Sequence, residues 1–356
     1  MGLDITGPYC YPPPAPEWLQ RHAEDVIEPT RRIIDAHHHI WDEAGNPYQL
    51  AQYSADLATG HNIVASVFVQ AGYGYRDDGP ESLRCVGETE KIASLRRESQ
   101  KQGCGTDIAA AIVGFADLTL GADVSTVLEA HMAAAPEAFR GVRHSVSRDP
   151  HFPNGIVVRA APEGMLADPR YRSGLAMVAR HGLSYDAMLY HRQIPELREA
   201  AMALPHLQIV LDHYGCIIGV GPYAGRSDDS FRQWRRDMAA LAQCPNVAVK
   251  LGGLGMIICG ANWHERPQPP GSSELALAWR PYVETCIELF GTGRCMFESN
   301  FPVDKAMYSY PVLWNTFKRL TQNASEAEKD ALFAGTAARI YRIAQPAPAT
   351  TDGGIE

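Results

Sequence analysis

Residues 33–41 read IIDAHHHIW, an apolar run that closes on three consecutive histidines. Side chains alternate along a strand. Ile34, Ala36 and His38 therefore share one face, and Asp35, His37 and His39 share the other. If the apolar set packs against helices, His37 and His39 enter a common interior, with Asp35 beneath them. Two imidazoles at i and i+2 can grip one metal ion or one substrate oxyanion. A His-x-His pair alone is a weak signal, and its weight depends on what the rest of the chain builds around it. The competing reading, a buried structural cluster, is costly because every imidazole then needs a hydrogen-bond partner.

The first β-like run spans 32–39. Seven more follow at 63–70, 108–116, 139–146, 183–190, 207–214, 246–253 and 294–301. Helical patterns separate most of them, as at 88–101, 227–243 and 272–290. Eight strands, each followed by a helix, predict an α/β fold: the (β/α)8 TIM barrel. An open doubly wound sheet fits less well, because no Gly-x-Gly-x-x-Gly follows the first strand. A prolyl extension over 1–32 is expected to pack on the barrel, which occupies 33–344. An extra C-terminal helix over 325–343 opens on a capping box, Ser325 with Glu328, and is expected on the outside. The tail 345–356 reads as disordered.

Of the 356 residues, 46% are apolar and 21% charged, enough to bury a sizeable core. The net charge of −9, with no Lys/Arg-rich run, argues against a nucleic-acid partner. No apolar run approaches the roughly 20 residues of a membrane span. The start MGLDITGPYC has no signal-peptide pattern, so a cytoplasmic protein is expected. The eight cysteines are scattered, without a Cys-x-x-Cys pair, which does not suit a disulfide scaffold in a chain this long. The partner is then a small-molecule substrate, and a homo-oligomer is compatible with the apolar arm.

The same parity test selects other residues. His213 closes the run 207–214. Lys250 points inward with Ala248, while Val247, Val249 and Leu251 face outward. Arg143 turns in opposite Val142 and Val146. Gln70 stands at the mouth end of its strand, as do Tyr190 and His191. Long loops at 71–87, 147–169 and 253–272 belong over the C-terminal mouth, where barrels bind ligands.

Together with PEWL (16–19), FRGVRH (139–144), IVLDHYG (209–215), VKLGGLGM (249–256), FESNFPVDK (297–305) and LFAGTAARIYRI (332–343), these pieces resemble the amidohydrolase superfamily. They look most like its amidohydrolase-2 branch of TIM-barrel hydrolases, which includes sugar-acid and pyrone-dicarboxylate lactonases. The resemblance covers residues 16–343 and implies a reaction centre holding His37, His39 and His213. The departure is at the eighth strand. Relatives read Gly-Ser-Asp-(aromatic)-Pro, whereas this chain reads Glu298-Ser299-Asn300-Phe301-Pro302. A neutral amide neither takes a proton from water nor binds a divalent ion well. Two carboxylates lie near enough to compensate. Glu298 shares Asn300's face one layer deeper, as a partner for Lys250 or a metal ligand. Asp304 follows four residues later and is the expected catalytic carboxylate.

The resulting expectation is a lactonase acting on a small, carboxylated cyclic ester. His37, His39 and His213 would polarise the carbonyl, directly or through one zinc or manganese ion, and Asp304 would activate water. Arg143 would hold a substrate carboxylate. Tyr190, His191, Lys250, Gln70 and Asn300 would shape the substrate site. The alternatives are amide hydrolysis or non-oxidative decarboxylation of an aromatic acid on the same barrel. A further one is a barrel that binds without turnover, which Asn300 motivates.

Overall fold

The computed structural model describes residues 11–43 and 46–344. Eight parallel strands form one sheet: β1 (Ile33–His38), β2 (Ile63–Val69), β3 (Asp107–Gly114), β4 (Phe139–Val142), β5 (Ser184–Ala187), β6 (Gln208–Leu211), β7 (Val247–Leu251) and β8 (Cys295–Phe297). They pair strictly in chain order. Past the end of β8 the chain meets β1. His39 N donates to Phe301 O at 2.8 Å, and Asn300 N donates to His37 O at 2.9 Å. The sheet is thereby closed into a (β/α)8 barrel, as the alternation of strands and helices predicts.

Ile33, Phe68, Ile112, Ile209, Leu211, Val247, Val249 and Leu251 pack outward against the helices. Ile34, Ala36, Val67, Val69, Val210, Ala248 and Met296 fill the barrel interior. The parity reading holds for β6 and β7 but fails in the first half of β1. Asp35 pairs with Ser66 and His38 with Phe68, so three steps on β1 face two on β2. This bulge puts Ala36 and His37 on the same side. Ile34 and Ala36 line the interior, while Asp35 turns outward. There it accepts hydrogen bonds from Ser299 N (2.8 Å), Ser299 Oγ (2.6 Å), Tyr310 Oη (3.0 Å) and Tyr53 Oη (3.1 Å). Asp35 is thus a buried strut between barrel and helices, not the layer beneath His37. The middle histidine, His38, stacks on Tyr53 at 4.1 Å, outside the barrel.

The C-terminal helix opens on the predicted capping box of Ser325 and Glu328. It widens into a π turn over Ala331–Gly335 before finishing as Thr336–Tyr341. It does not simply lie on the outside. Its small residues Ala334, Ala337 and Ala338 let it approach closely and plug the N-terminal end of the barrel, packed with Ile34, Val67, Val210 and Met296. Tyr341 reaches up through this plug to donate to Asp186 Oδ2 at 2.7 Å.

Residues 11–32 lie against the barrel's outer parts. Trp18 Nε1 donates to Arg266 O at 2.7 Å, and Lys318 Nζ donates to Ile27 O at 2.6 Å. The predicted tail 345–356 lies outside the described residues. Among the described residues no helix is long and apolar enough to cross a membrane.

Candidate active site

A cavity of about 550 Å³ opens at the C-terminal ends of the strands. Of the predicted residues, His39, His213, Arg143, Gln70 and Asn300 line it. Val157, Val158 and Met165 from the long loop after β4 form part of its wall, and Met256, after β7, forms another.

Directly beneath lies a charge network that water does not reach. Lys250 is 0% exposed. Its ammonium pairs with Asp186 Oδ2 at 2.7 Å and Asp212 Oδ1 at 3.1 Å, and lies 3.2 Å from His37 Nδ1. Burial alone would lower the Lys250 pKa, but Asp186 and Asp212 hold it above its ordinary value. Asp212 is likewise kept ionised: against the penalty of burial, Lys250 and His37 hold it well below the usual carboxylate range. Lys250 does not border the cavity, and its partners are the two aspartates. The expected pairing with Glu298 is replaced, because Glu298 is engaged by histidines.

Glu298 Oε1 lies 2.7 Å from His213 Nδ1, and Oε2 lies 3.0 Å from His37 Nδ1. Burial disfavours its charge, yet His213 and His37 bring its pKa down to about 2. The same contact raises the His213 pKa against its own burial. His37 is pushed down to about 4 by burial and the nearby Lys250 ammonium. His39 Nδ1 faces Val69 O at 2.8 Å, and its Nε2 stands 3.1 Å from His37 Nε2. A carbonyl only accepts, so Nδ1 of neutral His39 carries the proton and Nε2 offers its lone pair. Arg143 Nη2 is anchored on Gln70 O at 2.6 Å, and Nη1 lies 3.4 Å from His37 Nε2.

Local backbone explains how His213 arrives here. β6 ends at Leu211, and by simple alternation His213 would follow Leu211 outward. His213 instead adopts φ +53°, which swings the ring back over the mouth, 4.5 Å from His37. The glycines of VKLGGLGM make room. A Cβ on Gly253 would sit 2.6 Å from His213 Nδ1, and one on Gly252 would sit 2.4 Å from Glu298 Cγ.

Asp304 does not border the cavity. It is fully buried behind Asn300, accepting from Asn300 Nδ2 at 2.9 Å, from Gly255 N at 3.1 Å and from Tyr308 Oη. Burial pushes its pKa up to about 7 despite these donors. It therefore orients Asn300 rather than meeting water itself. Tyr190 and His191 also miss the cavity. Tyr190 Oη accepts from Ile156 N at 3.2 Å, and His191 Nδ1 accepts from Ile218 N at 3.2 Å, so both brace loops.

Sequence reasoning passed over Asp212 and Asp186. Both share their strand's inward face and both answer Lys250. An inward lysine in a barrel demands such carboxylates. Asp212 also matters for a metal. His37, Asp212 and His213 each turn a ligand atom to within 4.8 Å of the others. Asp212 rather than His39 completes this group. Both Asp212 oxygens and Glu298 Oε2 are buried without a hydrogen-bond donor. Such anionic oxygens call for positive charge, so this donor set fits one divalent ion.

The amidohydrolase family model matches residues 34–343. The uncharacterized protein y4mH of Sinorhizobium fredii is 35% identical, over 87% of this chain and 98% of that protein. An L-fucono-1,5-lactonase of Burkholderia ambifaria is 28% identical, over 88% and 96%. Among solved structures, a Burkholderia multivorans amidohydrolase with bound HEPES superposes with a TM-score of 0.67 at 24% identity, covering 88% of this chain and 99% of that one. A second crystal form of that amidohydrolase, with bound zinc, gives a TM-score of 0.65.

Proposed function

The chain belongs to the amidohydrolase family, and on that premise we propose that it is a lactonase, opening a small cyclic ester with water. The reading rests on one observation: a cavity-lining histidine, His213, is held by a buried carboxylate, Glu298, at 2.7 Å. The L-fucono-1,5-lactonase relatives point to the same reaction class.

Glu298 accepts from His213 Nδ1, which leaves the lone pair of the neutral ring on Nε2, the nitrogen turned to the cavity. That nitrogen takes a proton as water attacks the lactone carbonyl. Asn300, its amide nitrogen engaged by Asp304, presents its carbonyl oxygen to the water's other hydrogen. Arg143, fixed through Gln70 O, faces the oxyanion that develops. The proton on His213 then passes to the ring oxygen as the C–O bond breaks, releasing a hydroxy acid. A carboxylate on the substrate would meet Arg143 or Arg159, both of which line the cavity.

A divalent ion such as zinc or manganese would be held by His37, Asp212 and His213; it would take up the His213 lone pair and, in place of that base, supply a Lewis acid that acidifies water. Metal analysis of the purified protein by mass spectrometry tests this. Near-stoichiometric metal is expected in the wild type and its loss in Asp212→Asn. Equal metal in both would remove Asp212 from the ligand set.

The reaction itself is tested with a panel of lactones, following acid release and identifying the product. The expected product is the ring-opened hydroxy acid. Release of carbon dioxide from an aromatic acid would favour the decarboxylase alternative. Binding without turnover would favour a barrel that has lost its chemistry.

A further inference from the structure

The wall of the cavity nearest β1 is built by strict alternation: His39, Trp41 and Glu43 all line it. Trp41–Glu43 forms a small antiparallel hairpin with Asn46–Tyr48, in the register Trp41↔Tyr48, Asp42↔Pro47 and Glu43↔Asn46. Trp41 fixes this hairpin. Its Nε1 donates to Asn46 O at 2.8 Å, and its ring stacks on His39 at 5.9 Å. Tyr11, from the N-terminal arm, also stacks on Trp41 at 6.0 Å and donates to Val157 O at 3.0 Å. Hairpin, arm and the loop after β4 are thereby tied together around one aromatic wall.

Glu43 closes that wall. Among the described residues it is the one carboxylate lining the cavity, since Asp212, Glu298 and Asp304 are all buried beneath or behind it. None of the described residues engages it in a hydrogen bond or ion pair. Partial burial against the cavity wall raises its pKa from the ordinary value. A carboxylate accepts hydrogen bonds and repels anions. Across the cavity, Val157, Val158 and Met165 offer apolar surface. A ring with hydroxyl groups on its edge and C–H bonds on its face satisfies both.

Resting on the lactonase reading, we propose that Glu43 is a specificity-determining residue, accepting hydrogen bonds from ring hydroxyls of a hydroxylated lactone seated in the cavity. It selects such substrates over lactones that carry no hydroxyl, or a carboxylate, at that edge.

The test compares wild type, Glu43→Ala and Glu43→Gln on D-glucono-1,5-lactone and on δ-valerolactone, which has no hydroxyl groups. The wild-type preference in kcat/KM for the hydroxylated lactone should fall about tenfold or more in Glu43→Ala, mainly through KM. It should fall less in Glu43→Gln, whose amide oxygen still accepts. Affinity for the non-hydrolysable D-glucono-1,5-lactam, measured by calorimetry, should weaken about tenfold in Glu43→Ala as well. Glu43 is exposed, so the variants should fold normally. A preference unchanged in Glu43→Ala, with lactones still opened, would overturn this inference and leave the lactonase reading intact. Lactam binding that depends on Glu43, without turnover of any lactone, would do the reverse. Equal lactam affinity in all three proteins, or no lactam binding in any, would also overturn the inference.

Discussion

Lys250→Met is expected to lower the melting temperature by about 5 °C or more, or to prevent folding. The methionine fits the space, but the substitution strands two carboxylates. Asp186 and Asp212 are both 0% exposed and both depend on this ammonium, at 2.7 and 3.1 Å. Removing one partner of a buried pair costs about 3–5 kcal/mol, because the remaining charge has neither water nor a counterion. At about 1.5 °C per kcal/mol for a barrel of this length, that is a drop of about 5–8 °C. Asp186 keeps the Tyr341 hydroxyl, which softens its loss, whereas Asp212 keeps only Arg143 at 3.6 Å and His37 at 3.7 Å. The double variant Lys250→Met/Asp186→Asn should therefore recover only part of the stability. Thermal melts followed by circular dichroism read both. A single variant as stable as wild type would mean that the network does not carry the charges assigned to it.

Glu298→Gln is expected to cut lactone turnover by about 10²–10⁴-fold while the protein still folds. The amide is nearly isosteric but can donate as well as accept, so it no longer dictates that His213 Nδ1 carries the proton. The ring can then present an N–H to the cavity in place of its lone pair. Glu298 also offsets charge at His37, 3.0 Å away, so a modest loss of stability should accompany the change. His213→Ala should lose about as much turnover, and the double variant little more, since the two act as a unit. Turnover in Glu298→Gln within a factor of ten of wild type would remove the pair from the reaction.

Much of the candidate site was legible in local sequence. Lys250 and Arg143 turned inward because their neighbours alternate cleanly with valines, and both sit inside. Asn300 at the end of β8 was visible by motif. Asp304, expected at the mouth, lies behind Asn300, because distance along the chain says nothing about what stands in front of a side chain. Asn300 intervenes, and Tyr308 and Gly255 hold the carboxylate away from the cavity. Asp212 was passed over although its parity was plain, because the His beside it drew the assignment. Glu43 left a local signal too, His-x-Trp-x-Glu, but a polar residue two steps past a strand reads as an ordinary turn until a wall is seen to form.

The sequence alone determined the eight-strand barrel, the end of it that carries the chemistry, the capping box of the last helix and the inward lysine. All of these follow from periodicity, which is a property of neighbours along the chain. Only the tertiary structure decided what depends on contacts between distant strands. The bulge that sends Asp35 outward exists because β1 must match β2 residue against residue. The return of His213 over the mouth needs the space that Gly253, forty residues later, leaves empty. Whether Glu298 met Lys250 or His213 was a competition among buried charges. It was settled by which partners lay close enough to replace the water that each had lost.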